Sequence, residues 1–284
     1  SAPAEINLEA LPDIEPALEE ILSGAKERVV FENYLLRRSW GKSAALLLHA
    51  PSDGIHILGV LHPNLMSDAP FLKELRAAGA QIIERDLAPL GGSPKEGYLH
   101  SKFLAADGRR GYIGSANFSD AGMRENREMG LYFEDAAIAA ALELTAGVDA
   151  GHVSDARAEE IESAVIFQGA AEGFAVRGIP VCDEGVASLC GMASKEVDIM
   201  MFAFSHQFGN YGAIATPLRA AVRRGVRVRL IHESRTVKDL AGVQPTLTDM
   251  KQWGVEVKLA DISSLGSAPD GQYHAKAMRV DDEL

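Results

Sequence analysis

The chain has only two cysteines, Cys182 and Cys190, in 284 residues. Two thiols exclude a disulfide framework, and without histidines at ligand spacing beside them they make no convincing zinc site. Both read as ordinary buried thiols. No stretch approaches the roughly 18 consecutive apolar residues that a membrane-spanning helix requires. Positive charge is not in excess either: 28 Lys and Arg against 40 Asp and Glu leave a formal charge of -12. That balance disfavours a protein that coats nucleic acid through a general basic face, although it leaves room for a small basic pocket. Aromatic residues amount to 6%, few for a surface that stacks bases.

What is present is apolar residue type in quantity, 47% of the chain, enough to bury a core as one large domain or two moderate ones. The chain opens with Ser1-Ala2-Pro3-Ala4 and not with methionine. It therefore reads as a trimmed chain or a mature product whose leader has been removed. The expected location is cytoplasmic, with a secreted mature form as the alternative.

Internal similarity organises the rest. Residues 17–22 read as an amphipathic helix followed by the strand-like Val29-Val30-Phe31; residues 186–190 lead in the same way to the strand-like run 199–204. The helix 72–78, Gly79 and the strand Gln81-Ile82-Ile83 match the helix 247–253, Gly254 and the strand 255–259. A further helix, 218–224, stops at Gly225 before the alternating strand 226–231. Each copy then crosses a Gly/Ser/Pro-rich loop, 89–94 or 263–269, and reaches a histidine. Strands alternating with helices predict α/β layers, and two tandem copies predict a pseudo-symmetric pair.

The chemistry lies at those histidines. His100, Lys102 and Asp107 have the same spacing as His274, Lys276 and Asp281. On a strand, residues two apart share a face, so each copy presents an imidazole beside an ammonium. Downstream of the first copy comes Gly114-Ser115-Ala116-Asn117, a small turn through which backbone and the Asn117 amide can approach an anion; Ser115 is a candidate substrate contact. Next comes Asn126-Arg127-Glu128, where Glu128 can accept from a histidine ring N–H and fix its tautomer.

With His-x-Lys-x4-Asp present twice and Gly-Ser-x-Asn after the first copy, the sequence resembles the phospholipase D superfamily over nearly its whole length. The resemblance implies an α/β fold of two tandem, pseudo-symmetric phospholipase D-like halves, residues 1–165 and 166–284. Each is expected to be a mixed β-sheet flanked by helices, with the active site at their interface. It implies a phosphodiesterase needing neither cofactor nor metal: His100 attacks phosphorus to form a phosphohistidine, and His274 serves as acid and base, although symmetry allows the reverse. A free imidazole titrates near pH ~6.5, so a modest difference in surroundings sets the two roles apart. Lys102, Lys276 and Asn117 would stabilise charge on the phosphoryl oxygens, while Asp107 and Asp281 are implied to be structural. After Asp281 the sequence holds three residues, so the second half is expected to lack a Gly-Ser-x-Asn of its own.

Three functions fit these features. The first is hydrolysis or transfer at a phospholipid head group by a monomer with pseudo-twofold symmetry, for which a peripheral membrane contact would be the natural partner. The second is a metal-independent endonuclease on DNA or RNA, and the third a scaffold that keeps the motifs without turnover; fold alone does not separate them. Among the remaining histidines, His49, His56, His62 and His152 read as loop or surface residues. His206 and His232 fall at strand ends, where ligands meet open α/β sheets, and are candidate rim residues for substrate binding. Arg223, Arg224, Arg227 and Arg229 read as a solvated face more than as a phosphate patch.

Overall fold

A computed structural model describes residues 14–63, 67–86, 99–153, 182–207, 211–262 and 271–281. The two Gly/Ser/Pro-rich loops and the expected boundary at 165/166 lie outside the described residues. The chain divides into two bodies, one of residues 1–124 with 130–179, the other of 125–129 with 180–284.

The first body opens with α1 (Ile14–Gly24), β1 (Arg28–Asn33), α2 (Lys42–His49) and β2 (His56–Leu61), then α3 (Ala69–Ala77) and β3 (Gln81–Glu84). The remaining elements are β4 (Phe103–Ala106), β5 (Arg110–Gly114), β6 (Gly130–Glu134) and α4 (Ala136–Asp149). Its six strands run in the order β3-β2-β1-β4-β5-β6. β1, β2 and β3 are parallel, and β4, β5 and β6 are added antiparallel. Both faces are covered, and β1 shows why its centre is apolar on both sides: Val29 and Phe31 face a core with Leu18, Leu47 and Leu75 of α1, α2 and α3. Val30 faces the other way, toward Leu142 and Ala146 of α4. Removing each such side chain from water is worth about 1.5–3 kcal/mol. Two helix starts are written in single aspartates: Asp68 accepts from Phe71 N–H at the head of α3, and Asp135 from Ala137 and Ile138 N–H at the head of α4.

The second body repeats the opening: α5 (Cys182–Met192), β7 (Glu196–Met201), α6 (Tyr211–Arg223), β8 (Arg227–Glu233), α7 (Thr236–Asp239), α8 (Val243–Trp253), β9 (Glu256–Ala260) and β10 (Ala277–Val280). The strand order β10-β7-β8-β9 is that of β4-β1-β2-β3, with the same parallel and antiparallel pairings. Gly79, Gly225 and Gly254, expected as helix stops, all have positive φ, 107°, 90° and 105°, a region where a side chain is strained. Arg224, Arg227 and Arg229, three of the four arginines read as a solvated face, are paired. Arg229 and Arg279 bind Asp198 and Glu196, Arg227 binds Glu256, and Arg224 donates to the carbonyls of Cys190, Gly191 and Ala193. Cys190 is buried, and burial pushes its thiol up to about 11, in keeping with an inert core residue.

Each half is closed by its motif aspartate. Asp107 accepts backbone N–H bonds from Lys26, Glu27 and Arg28 at 2.9–3.0 Å. Asp281 accepts from Ser194, Lys195 and Glu196 at 2.7–2.8 Å, and from the Ser194 hydroxyl at 2.8 Å. Both sit in the left-handed region, φ 56° and 50°, the two non-glycine residues to do so among those described; a short polar side chain tolerates that conformation best. Burial pushes the Asp107 carboxyl up, but its three backbone donors and nearby Arg110 outweigh this and hold it below the usual range. The Asp281 carboxyl is held lower still, first by Glu196 N–H, then by the N–H groups of Ser194 and Lys195. The aspartate thus staples the end of the motif strand to the start of the first strand of its half, as a structural role predicts.

Asp107→Ala should therefore cost about 2–3 kcal/mol, the loss of several charge-assisted hydrogen bonds. For Asp281→Asn the test is pH. A carboxyl with a depressed folded pKa stabilises above its unfolded value of about 4, and that stabilisation is lost as pH falls through the folded pKa. The difference in Tm between wild type and variant should be widest near pH 7 and should narrow steadily in acid; a gap independent of pH would contradict this.

Candidate active site

In the first half, the ladder pairs Val29 with Ala106, Val30 with Ala105, Phe31 with Leu104 and Glu32 with Phe103. Continued by two residues, this register sets Tyr34, just beyond β1, opposite Ser101, between the motif histidine and lysine. The His100 ring lies against Tyr34, centroids 5.1 Å apart and planes at 55°, and the Lys102 ammonium sits 5.7 Å above the same ring. Lys102 is buried, its Nζ donating to the His100 carbonyl at 2.6 Å, while His100 itself is exposed. The sequence placed both on a strand, but β4 starts one residue after Lys102, because the ladder with β1 ends at Glu32. Beneath them Glu32 is fully buried and accepts from Ser101; burial pushes its carboxyl well up, and nearby Asp149 adds to the effect.

The Gly-Ser-Ala-Asn turn is tied to this end of β1. Gly114 N–H donates to the Lys102 carbonyl at 2.9 Å. Asn33, fully buried, receives Phe118 N–H at 3.3 Å and donates to the Ala116 carbonyl at 3.5 Å. Ser115 is buried, and Asn117 is half-buried, with an Oδ1 that has no hydrogen-bond partner among the described residues. His62 departs from expectation. It is no surface residue but buried, its ring stacked on Tyr34 at 5.2 Å and 13°. Burial lowers its pKa against the opposing pull of Asp86, which favours the neutral imidazole.

In the second half, Phe202 takes the place of Tyr34. The ladder pairs Ala277 with Met200 and Val280 with Val197, so the continued register sets Phe202 opposite Ala275, again between histidine and lysine. The His274 ring lies 4.7 Å from Phe202 at 59°, with the Lys276 ammonium 5.3 Å above that ring. As in the first half, the strand starts one residue after the lysine. Residues 125–129 belong to this body: Arg127 and Tyr273 form a β-bridge, in which Arg127 N–H donates to the Gln272 carbonyl and His274 N–H to the Arg127 carbonyl. That bridge brings Glu128 to His274, with Oε2 3.0 Å from Nδ1. The other oxygen accepts from the Asn126 amide at 3.1 Å, and the Asn126 carbonyl oxygen accepts from Gln272 N–H.

With Nδ1–H donated to the carboxylate, the His274 lone pair is left on Nε2, 3.1 Å from the Lys276 Nζ. Lys276 also donates to the His274 carbonyl at 2.9 Å. Desolvation of its ammonium lowers Lys276 to about 8, with Glu128 pulling the other way. Behind the motif, buried Glu233 accepts backbone N–H bonds from Tyr273 and Arg235.

The two rim candidates part ways. His232 does not belong to a rim: it is fully buried, its Nε2 receives Phe204 N–H at 3.0 Å, and its Nδ1 faces the Glu233 carbonyl at 2.9 Å. Burial lowers its pKa, so it is a neutral core imidazole that cross-links two strand ends. His206 is exposed and held by Thr246 Oγ1 at 3.1 Å from its Nδ1. The residues missed from sequence, Tyr34 and Phe202, carried a signal: counted forward from the amides that the two aspartates hold, they occupy the same position in each repeat.

Among the described residues no group of metal-ligating side chains is gathered, and no helix is long and apolar enough to cross a membrane. A family profile described as "Cardiolipin synthase, PLD-like domain" matches residues 18–145 and 187–284. No curated protein matches in sequence. Among solved structures, phosphatidylserine synthase from Haemophilus influenzae Rd KW20 is similar at TM-score 0.67 and 13% identity, over 94% of this chain and 74% of that one. Polyphosphate kinase from Porphyromonas gingivalis is similar at TM-score 0.57 and 13% identity, over 87% of this chain and 38% of that one. At such identities the likeness is one of fold. The profile spans far more than half of the sequence and both His-Lys sites, and the chain belongs to the PLD-like family of the phospholipase D superfamily.

Proposed function

We propose that the protein hydrolyses or transfers the head group of a phospholipid through a phosphohistidine, with His100 and His274 acting in turn on one phosphodiester. His100 Nε2 forms a bond to phosphorus as the bond to the leaving oxygen breaks, and His274 Nε2–H gives that oxygen its proton. The same His274 nitrogen then takes a proton from water or an alcohol, whose oxygen displaces His100 from phosphorus. The observation that carries the reading is the Glu128–His274 pair: the carboxylate fixes Nδ1–H, leaving Nε2 to give and take the proton. Lys102, Lys276 and the Asn117 amide supply positive charge and donors for the phosphoryl oxygens.

Support for lipid comes from three directions. The family is described by a cardiolipin synthase domain. In the second half Arg224, Arg227, Arg229 and Arg279, which might have formed a basic surface, are bound by carboxylates and carbonyls. Finally, a cavity of about 220 Å3 in that half, walled by Ile199, Met201, Leu218 and Met278, includes Lys276 in its lining; a cation beside an apolar wall suits an amphiphile. In the first half the counterpart of Ile199, Phe31, packs instead on Phe118.

Parallel assays of phosphatidylcholine, a cardiolipin precursor, single-stranded DNA and RNA test the assignment. Turnover of a lipid should survive chelator, and His100→Ala or His274→Ala should reduce it by at least about 1,000-fold. A base-stable phosphoryl label should be trapped on His100. Cleavage of nucleic acid alone would transfer the site to a nuclease, and activity that persists in both variants would reject it. Glu128→Gln should cost about 10- to 100-fold by loosening the His274 tautomer. Because the ammonium of Lys276 is needed charged, the rate should fall as pH rises through about 8. Lys276→Arg, permanently charged, should push that limb upward, whereas Lys276→Met should lose about 100- to 1,000-fold at every pH.

A further inference from the structure

We propose that Tyr34 and Phe202 are a duplicated pair of positioning residues, each an aromatic shelf that holds the histidine and lysine of its half in working orientation. The inference rests on the site proposed above and adds to it the groups that fix its geometry. Each ring touches both motif side chains: the imidazole lies 5.1 or 4.7 Å away at 55° or 59°, and the ammonium 5.7 or 5.3 Å over the face. The contacts agree although the two halves were built from different residues, which points to the ring as the shared requirement.

Neither ring serves the core. Tyr34 and Phe202 are half-buried and belong to none of the apolar clusters formed by the described residues. The phenol is not the common element either, since phenylalanine stands in the second half. Nor are the surroundings: His62 stacks on Tyr34 in the first half, and the equivalent strand-end residue in the second is Glu233, turned to the backbone of Tyr273 and Arg235. What remains in common is a negative ring face under a cation and beside an imidazole that takes up positive charge during the reaction, an arrangement attractive to both. Each lysine is also bonded to its own histidine carbonyl, so the ring lies against a short, nearly closed loop that carries both motif side chains.

The test compares Phe202→Leu and Phe202→Met with Phe202→Tyr, and Tyr34→Leu with Tyr34→Phe, in the full chain. The first readout needs no substrate. Ring-proton NMR signals of His274 and His100, assigned with His274→Gln and His100→Gln, should be displaced by ring current in wild type and in the Phe/Tyr exchanges. In the aliphatic variants the displacement should vanish. The second readout is turnover of bis(4-nitrophenyl) phosphate. The aliphatic variants should lose about tenfold in kcat with little change in KM, and the aromatic exchanges should stay within about threefold of wild type.

Thermal unfolding should be nearly unchanged throughout. Aliphatic variants that keep wild-type histidine signals would overturn the proposal. So would aromatic exchanges that lose as much kcat as the aliphatic ones. If the wild type fails to turn over the diester while the ring-current pattern behaves as described, the function proposed above fails and the shelf stands.

Discussion

The local constraint on which the half-sites depend is the bonding of one aspartate carboxylate to three successive backbone N–H groups. In each half it pins the tail of the motif strand to the head of the first strand. Because strand pairing is quantised in residues, fixing one end fixes the other: five and seven residues from the aspartate, the lysine and histidine must arrive at the far end of the first strand. A slip of one residue would turn the lysine to the opposite face and the histidine away from its aromatic neighbour. The aspartate lies at the other end of the motif strand from the histidine and lysine, yet their placement follows from it. Its left-handed backbone, accepted in both halves, is the local strain that this anchoring holds in place.

From that anchoring the electrostatics follow. Desolvation lowers the ammonium of Lys276 to about 8, against the pull of Glu128. A cation so poised is more useful to a phosphoryl oxygen than one fully hydrated, because the anion does not have to displace a complete water shell to reach it. Glu128 completes the arrangement from a distant part of the sequence. Its own two oxygens are engaged by His274 and Asn126, so the carboxylate cannot rotate without breaking a bond, and the tautomer it imposes is correspondingly firm.

Much of this was legible beforehand because it is written in spacing. The repeated helix, glycine and strand reappear as matching strand orders, and the glycines stand where positive φ demands them. The identical spacing of His100, Lys102 and Asp107 with His274, Lys276 and Asp281 holds the same chemistry in both halves. What escaped was whatever depends on partners remote in sequence. His62 and His232 look alike as histidines at strand ends, but one is stacked on a tyrosine and the other has both nitrogens turned to backbone; nothing in their neighbours along the chain announces either. Tyr34 and Phe202 look like ordinary strand-end aromatics until the register across the staple is known. The start of β4 and β10 one residue past the lysine was likewise invisible, since it depends on where a partner strand stops offering hydrogen bonds.

The two half-sites share their scaffold and differ in their dressing, and a two-step displacement needs that difference. A nucleophile must be neutral when it attacks, while its counterpart must carry a proton to give. A perfectly symmetric pair of imidazoles could satisfy this only by chance occupancy of one proton. Here the surroundings differ: His274 has the Glu128 carboxylate on Nδ1. His100 stands on a tyrosine backed by a second imidazole, whose pKa burial lowers against the pull of Asp86. One scaffold present twice thus yields two environments, and that difference is what supports the proposed division of roles between His100 and His274.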